Sequence, residues 1–350
     1  MAVQKFLLRG SLLGLGLYLC LTFAAAGWAQ TIGPTIAPGH DVERAPSGQE
    51  VVVLDDQPII SVDVQLVNIM ATVRDKDGKL IGNLTKDDFE LKEDGKEQNI
   101  RYFARQTDLP LTIGLLVDVS GSQANLIGVE QQAASEFFRN VLRKQDLAFL
   151  ISFGADSELL EDITGSPAML EDGLRDLRLN TGVAQMAGRP GPVPTMSHPA
   201  GTVLYDAIYL AANERLKREA GRKVIVVITD GVDQGSKLNR DDAIEAAHRA
   251  DAAIYGIYYS DFGFGYGGSD RDLKKMAEAT GGSVFKVNKP ADLDRIFKQI
   301  EEEMRSQYAI GYSPTNPVKD GSFRKIELKA TDRHYKVQAR NGYYATPPEQ

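Results

Sequence analysis

A chain of 350 residues, 43% hydrophobic and 25% charged, is long enough for two domains behind a targeting segment and too evenly mixed for wholesale disorder or for many membrane spans. Its net charge of −8 repels phosphate, and no run of Lys or Arg offsets it, so nucleic acid is excluded as a partner.

Residues 1–29 read as a secretory signal: Lys5 and Arg9 form a basic start, an apolar run extends from Leu12 to Ala26, and Gly27-Trp28-Ala29 offers small residues for cleavage after Ala29. The run is short for a span, which takes about 20 apolar residues, so no stable membrane anchor is expected. Cys20, the one cysteine, follows Leu17-Tyr18-Leu19, which lacks the small residue of a lipoprotein signal. It leaves with the signal, and disulfides, iron-sulfur clusters and cysteine catalysis leave with it. Loss of Lys5 and Arg9 takes the charge from −8 to −10. The expected location is secreted, periplasmic or in the cell envelope.

Residues 30–58 are rich in Pro, Gly and polar residues without a period, as in a flexible linker. Residues 59–107 alternate: Val62, Val64 and Leu66, then Val67, Ile69, Ala71 and Val73 after a phase slip, with Phe89 and Leu91 further on. Asp77-Gly78 and Asp94-Gly95 between these runs are hairpin signals, because the pair accepts positive φ. From 108 to 305 strand-like and helical runs alternate, the mark of a parallel sheet covered by helices. LTIGLLV before Asp118 and VIVVIT before Asp230 are continuously apolar and should be its most buried strands, joined by Asp146–Phe153, Ala252–Tyr259 and Ser283–Val287. Leu126, Val129, Ala133, Ala134, Phe137 and Val141 share one helical face, Leu204, Ile208, Ala211 and Leu216 another, and a last helix follows Pro290. Alternation returns in 306–345. Each β portion has too few strands to stand alone, so the two are expected to pair as one β-sandwich into which a doubly wound, mostly parallel α/β domain is inserted.

In a doubly wound sheet ligands gather beyond the carboxyl ends of the strands, where neighbouring connections diverge. Asp118, Ser120 and Ser122 follow one buried strand, Asp230 follows the other, and Thr202 stands just before a helix. Two carboxylates and three hydroxyls without His or Cys suit a hard divalent cation: Mg²⁺, with Mn²⁺ or Ca²⁺ as alternatives. The carboxylates balance its charge, the hydroxyls add none, and the ion keeps a position for an acidic group from another molecule. The plainer alternative is that Asp118 and Asp230 cap loops while the hydroxyls satisfy backbone amides.

Asp118-Val119-Ser120-Gly121-Ser122, Thr202 and Thr229-Asp230-Gly231, in that order, resemble the metal-ion-dependent adhesion site of von Willebrand factor type A domains, as in integrin inserted domains. GTVLYDAI, TDGVDQGS and GIYYSD further resemble bacterial type A-related proteins known chiefly from Acidobacteria. The resemblance implies hydroxyl ligation by Ser120, Ser122 and Thr202, with Asp118 and Asp230 often acting through water. It implies a non-enzymatic adhesion or protein-binding module whose partner presents a carboxylate; the alternative is a scaffolding subunit in which the metal only stabilises loops. The long approach Gly182–Ala200 to Thr202 is a departure from the family pattern.

Catalytic alternatives lack their companions. The second carboxylate of a haloacid dehalogenase-type phosphotransferase is here Ser120, no G-x-S-x-G elbow surrounds that serine, and Gly121 stands alone where a dinucleotide fingerprint needs three glycines. His40, His198, His248 and His334 are scattered and read as solvated or packing residues. Phe262, Phe264 and Tyr266 among glycines form either a rim for a partner or a loop whose rings pack locally. Glu301-Glu302-Glu303 reads as the solvated end of the last helix.

Overall fold

The computed structural model describes residues 66–105, 109–123, 126–179, 201–259 and 269–345. The signal, the linker, the Gly182–Ala200 approach and the aromatic rim of Phe262, Phe264 and Tyr266 lie outside the described residues.

The central sheet is built on β5 (Leu111–Asp118), whose eight residues are all buried. It runs parallel to β6 (Leu147–Phe153) on one side and β8 (Arg222–Thr229) on the other; β9 (Ala252–Tyr259) and β10 (Val284–Val287) extend the parallel set. β7 (Ser157–Thr164) closes the β6 edge antiparallel, with two register shifts, giving the order β10-β9-β8-β5-β6-β7. Continuous apolar sequence in β5 and β8 follows from helices on both faces. Ile113, Leu115 and Val117 pack against α1 (Ile127–Val141), α2 (Pro167–Arg175) and α6 (Leu293–Arg305). Leu116, Ile225 and Val227 pack against α3 (Leu204–Leu210), which continues as a π-helical turn over Ala211–Leu216, and against α4 (Arg240–Arg249) and α5 (Arg271–Thr280). Gly114 in mid-strand has a packing reason, since a Cβ there would stand 2.3 Å from the Phe149 ring. The chain leaves β5 for one face and β8 for the other, so the crevice between these neighbours is the switch point.

The flanking segments pair across the α/β stretch. β1 (Val67–Arg74) runs antiparallel to β11 (Tyr308–Tyr312), with Ile69 opposite Ile310, and β11 in turn pairs β4 (Ile100–Arg105). β2 (Phe89–Glu93) pairs β12 (Phe323–Ala330), with Leu91 opposite Leu328. With β3 (Lys96–Glu97), β13 (Lys336–Ala339) and β14 (Gly342–Tyr344) they form two four-stranded sheets, β13-β1-β11-β4 and β14-β12-β2-β3. One buried cluster draws on both sheets, including Ile69, Phe89, Leu91, Tyr308, Ile310 and Ile326. Asp94 (φ 48°) and Gly95 (φ 79°) turn β2 into β3, the left-handed geometry that the Asp-Gly pair accepts.

Glu303 departs from the expected solvated helix end. It is fully buried, ion-paired with Arg74 of β1, and accepts hydrogen bonds from Ser283 Oγ (2.8 Å) and Tyr255 Oη (3.4 Å). The helical period turns this one member of the Glu run inward to the seam where α6, β9 and β1 meet. His248 is buried as a packing residue against the Phe323 ring, centroids 5.4 Å apart, and exposed His334 bonds Asp332 in a turn. No helix among the described residues is long and apolar enough to cross a membrane.

Glu303→Ala takes away the ion pair with partly exposed Arg74 and the acceptor of Ser283 and buried Tyr255, and should lower the unfolding free energy by about 2 kcal/mol. Exposed Glu302→Ala should change it by less than about 0.5 kcal/mol. Urea titration of the two variants reads the difference.

Candidate functional site

Asp118 ends β5 fully buried. Its Oδ1 accepts the Ser120 amide at 2.9 Å and its Oδ2 the Thr229 hydroxyl at 2.7 Å, so the tips of the two central strands are bonded to each other. Thr229 Oγ1 accepts in turn from the Gly231 amide, 3.1 Å, and Asp230 Oδ1 from the Val232 amide, 3.1 Å. Asp230 Oδ2 takes no bond from the described residues. Each aspartate thus spends one oxygen on a turn two residues on, the loop-capping role, and capping leaves acceptor capacity over.

The two carboxylates are close enough to oppose one another's charge. Burial pushes the Asp118 carboxyl up to about 6, with Asp230 adding to the rise, against the downward pull of hydrogen bonds from Ser120 and Thr229. Ser120 belongs to this group through both its amide and its hydroxyl. Ser122 lies in the single 3₁₀ turn Gly121–Gln123 just beyond.

Thr202 is held at the same edge by backbone bonds from two loops. The Val203 amide donates to Gly154 O after β6 at 2.9 Å, and the amides of Gln234 and Gly235 after β8 donate to Thr202 O at 3.1 and 3.3 Å. A side chain at Gly201 would meet the Gln234 backbone at 2.9 Å, so only glycine lets the two loops approach this closely. Asp233 and Ser236 complete the stitching: Asp233 Oδ1 accepts from the Tyr205 amide, 3.3 Å, and Ser236 Oγ from the amides of Tyr205 and Asp206, 3.0 and 3.2 Å. The start of α3 is therefore fixed by the loop after Asp230.

Glu130 is the residue that sequence reasoning passed over. It sits in the first turn of α1 with no exposed surface, and neither carboxylate oxygen has a hydrogen-bond partner. Burial, then the charge of Asp118, raises its pKa well above the ordinary carboxylate range. Tyr259 at the end of β9, its hydroxyl also without a partner, is raised by burial and then by Glu130. The signal was legible: Glu130 occupies a position on the apolar stripe of Leu126, Ala133, Ala134 and Phe137, where a charge is out of place.

The crevice edge therefore holds Asp118 and Asp230 with hydroxyls around them and Glu130 behind. Among the described residues no three His, Cys, Asp or Glu converge on a point that could hold an ion by themselves. A cation here would depend on hydroxyl donors beside the two aspartates. That donor set suits a hard ion, and the buried carboxylates lack a cationic side chain that would do its work.

Residues 194–299 match the family model of the von Willebrand factor type A domain. The chain carries a von Willebrand factor type A domain. The matched stretch contains Thr202 and Asp230; Asp118, Ser120 and Ser122 precede it and reach the site through the register of β5 beside β8. No curated protein matches the chain. Among solved structures, it is similar to the conserved hypothetical protein BatB from Bacteroides thetaiotaomicron at 15% identity and TM-score 0.41, over 56% of this chain and 99% of that one. It is similar to proximal thread matrix protein 1 from the mussel byssus, with a zinc-occupied MIDAS motif, at 13% identity and TM-score 0.46, over 61% of this chain and 50% of that one. The vWF domain of the type V pili tip protein Mfa5 from Porphyromonas gingivalis is similar at 12% identity and TM-score 0.42, over 57% and 96%. The fold rests on strand order and register, not on these low scores.

A carboxyl whose folded pKa lies above its unfolded value favours folding while protonated, and that contribution is lost as pH rises from the unfolded pKa to the folded one. For Asp118 the window runs from the ordinary aspartate value of 3.8 to about 6, and the loss across it is about 3 kcal/mol. Urea titrations with EDTA at a series of pH values should show the parent falling relative to Asp118→Asn across that window, then a constant difference above it.

Proposed function

We propose that the type A domain binds a divalent cation, Mg²⁺ with Mn²⁺ or Ca²⁺ as alternatives, through Asp118, Ser120, Ser122, Thr202 and Asp230, and uses it to capture a carboxylate on a partner protein. What carries this reading is a pair of buried carboxylates, Asp118 and Glu130, at the crevice edge, with no Lys or Arg among the groups that shift them. Isolated buried charge is costly in a low-dielectric interior, and an ion at the crevice would offset it. When bound, the ion supplies electrophilic attraction for an acidic ligand; the chain orients it. The Asp118–Thr229 bond holds the two strand tips at fixed spacing, and the amides of Gln234 and Gly235 hold Thr202 above them.

In this reading the protein is an exported, non-enzymatic adhesion module, and the two four-stranded sheets are one β-sandwich that carries the type A domain as an insertion. The Gly182–Ala200 segment and the rim of Phe262, Phe264 and Tyr266 would supply selectivity around the ion. The scaffolding alternative, in which the ion only stabilises loops, makes the opposite prediction about chelation.

Isothermal titration with Mg²⁺ should show one site per chain, abolished in Asp118→Ala while circular dichroism stays unchanged. Partner capture should be lost in EDTA; capture that survives chelation removes the adhesion reading and leaves the scaffold. At alkaline pH, where Glu130 is driven to ionise without a partner, Glu130→Gln should raise the melting temperature of the ion-free protein, and it should weaken Mg²⁺ binding by about tenfold, because a carboxylate that the ion would stabilise is gone.

A further inference from the structure

The edge of the α/β sheet opposite the crevice holds a second feature. A cavity of about 450 Å³ lies where the starts of β8 and β9 and the end of α4 face β1 and β11. Met70, Leu109, Val224 and Ala309 give it apolar walls. Leu66 and Tyr102, also on its lining, are 48% and 44% exposed. They flank Gly311, where an added Cβ would stand 3.0 Å from Tyr102 and 3.4 Å from Leu66. The two therefore form one exposed apolar patch across the start of β1, β11 and β4, and a contiguous patch calls for a cover in a way that scattered residues do not.

The chain that enters at this patch has the chemistry of that cover. β1 alternates: Val67, Ile69, Ala71 and Val73 are buried in the cluster of the two flanking sheets, while Leu66, Asn68 and Met70 line the cavity. The described residues begin at Leu66, on the cavity wall itself. Upstream the sequence reads Ile60-Ser61-Val62-Asp63-Val64-Gln65, apolar at every even position and polar at every odd one. That is the pattern of an extended segment with one face to bury, and its apolar positions are in phase with Leu66. The phase slip between Leu66 and Val67 is thus a change of apolar face, from the cavity side to the core side.

The charges agree. Residues 51–65 carry Asp55, Asp56 and Asp63 and no Lys or Arg, whereas the charged residues on the lining are Arg222, Lys223 and Arg340 against Asp251 alone. Residues 106–108, which precede Leu109 of the lining, are Gln-Thr-Asp and have no apolar face to offer. A tether of a few residues holds the upstream segment at an effective concentration of roughly millimolar, ahead of a free ligand or a second copy.

We propose that this cavity is the docking site of the chain's own residues 60–65, with Ile60, Val62 and Val64 laid over Leu66, Met70 and Tyr102 and with Asp63 on the solvent side, in the positive field of the wall. The upstream chain is thereby anchored where the α/β portion meets the flanking sheets, on the edge away from the crevice.

Hydrogen exchange of the full-length protein tests it. Amides of residues 61–65 should exchange at least about tenfold more slowly than the same sequence in an unstructured peptide. Val62→Asp with Val64→Asp should remove that protection and leave the exchange of β5 and β8 unchanged. The same variant should bind 1-anilinonaphthalene-8-sulfonate at the uncovered patch, which the parent should not. Met70→Glu, on the cavity wall, should release residues 61–65 to the same extent. Val64→Cys with Tyr102→Cys, in a chain carrying Cys20→Ser, should close a disulfide within one chain. Exchange of residues 61–65 at the unstructured rate would overturn the proposal, as would protection that survives either the segment variant or Met70→Glu. Disulfide-linked dimers would assign the cavity to a second copy and overturn it too.

Discussion

The Asp118–Thr229 hydrogen bond joins the tips of two parallel strands that are otherwise held only by their ladder and by apolar packing. Short as it is, at 2.7 Å, it does two things. It fixes the separation of the tips where α1 and α4 depart to opposite faces, and it keeps an acid in the interior where one would otherwise be expelled. Thr229 returns the constraint to the backbone through the Gly231 amide. The loop after Asp230 is pinned to the start of α3, and Thr202 is pinned to that loop. One hydroxyl thereby ties together the strand tips that carry Asp118 and Asp230.

The two ends of the sheet are chemically opposite. At the carboxyl edge, Asp118 and Glu130 are buried with no cation among the groups that shift them; at the amino edge, Arg222 keeps two buried guanidinium nitrogens without an acceptor. Neither imbalance belongs to the general acidity of the chain, because both lie at buried positions where composition exerts no direct pull. Buried charge without a partner is destabilising, and natural proteins retain such groups where a ligand completes them.

Much of the architecture was readable from sequence because burial on both faces leaves an unmistakable mark. LTIGLLV and VIVVIT are apolar without interruption, and they are β5 and β8, neighbours at the switch point. What escaped was whatever burial did not pattern. β7, SELLEDIT, sits half-buried at the edge with two register shifts, so its alternation is blurred. β14 has three residues, too few for any period to show. In the site, Asp118, Ser120, Thr202 and Asp230 announced themselves by spacing. Glu130 was passed over although its place on the apolar stripe of α1 marked it, and Thr229, read as part of the Thr229-Asp230-Gly231 motif, gave no sign of its bond to Asp118. Glu303 was misread too: three consecutive glutamates look solvated until the helical turn selects one for the seam.

The pairing of Tyr308 with Arg105 puts the strand that enters the α/β portion beside the strand that leaves it. Tension applied between Leu66 and Ala345 would be borne by the antiparallel ladders of the flanking sheets, since the polypeptide enters and exits the type A fold at one doorway. The α/β portion hangs outside that path like a pendant on a taut cord. A protein that grips a partner through the crevice while its ends are pulled would keep its grip until the flanking ladders shear.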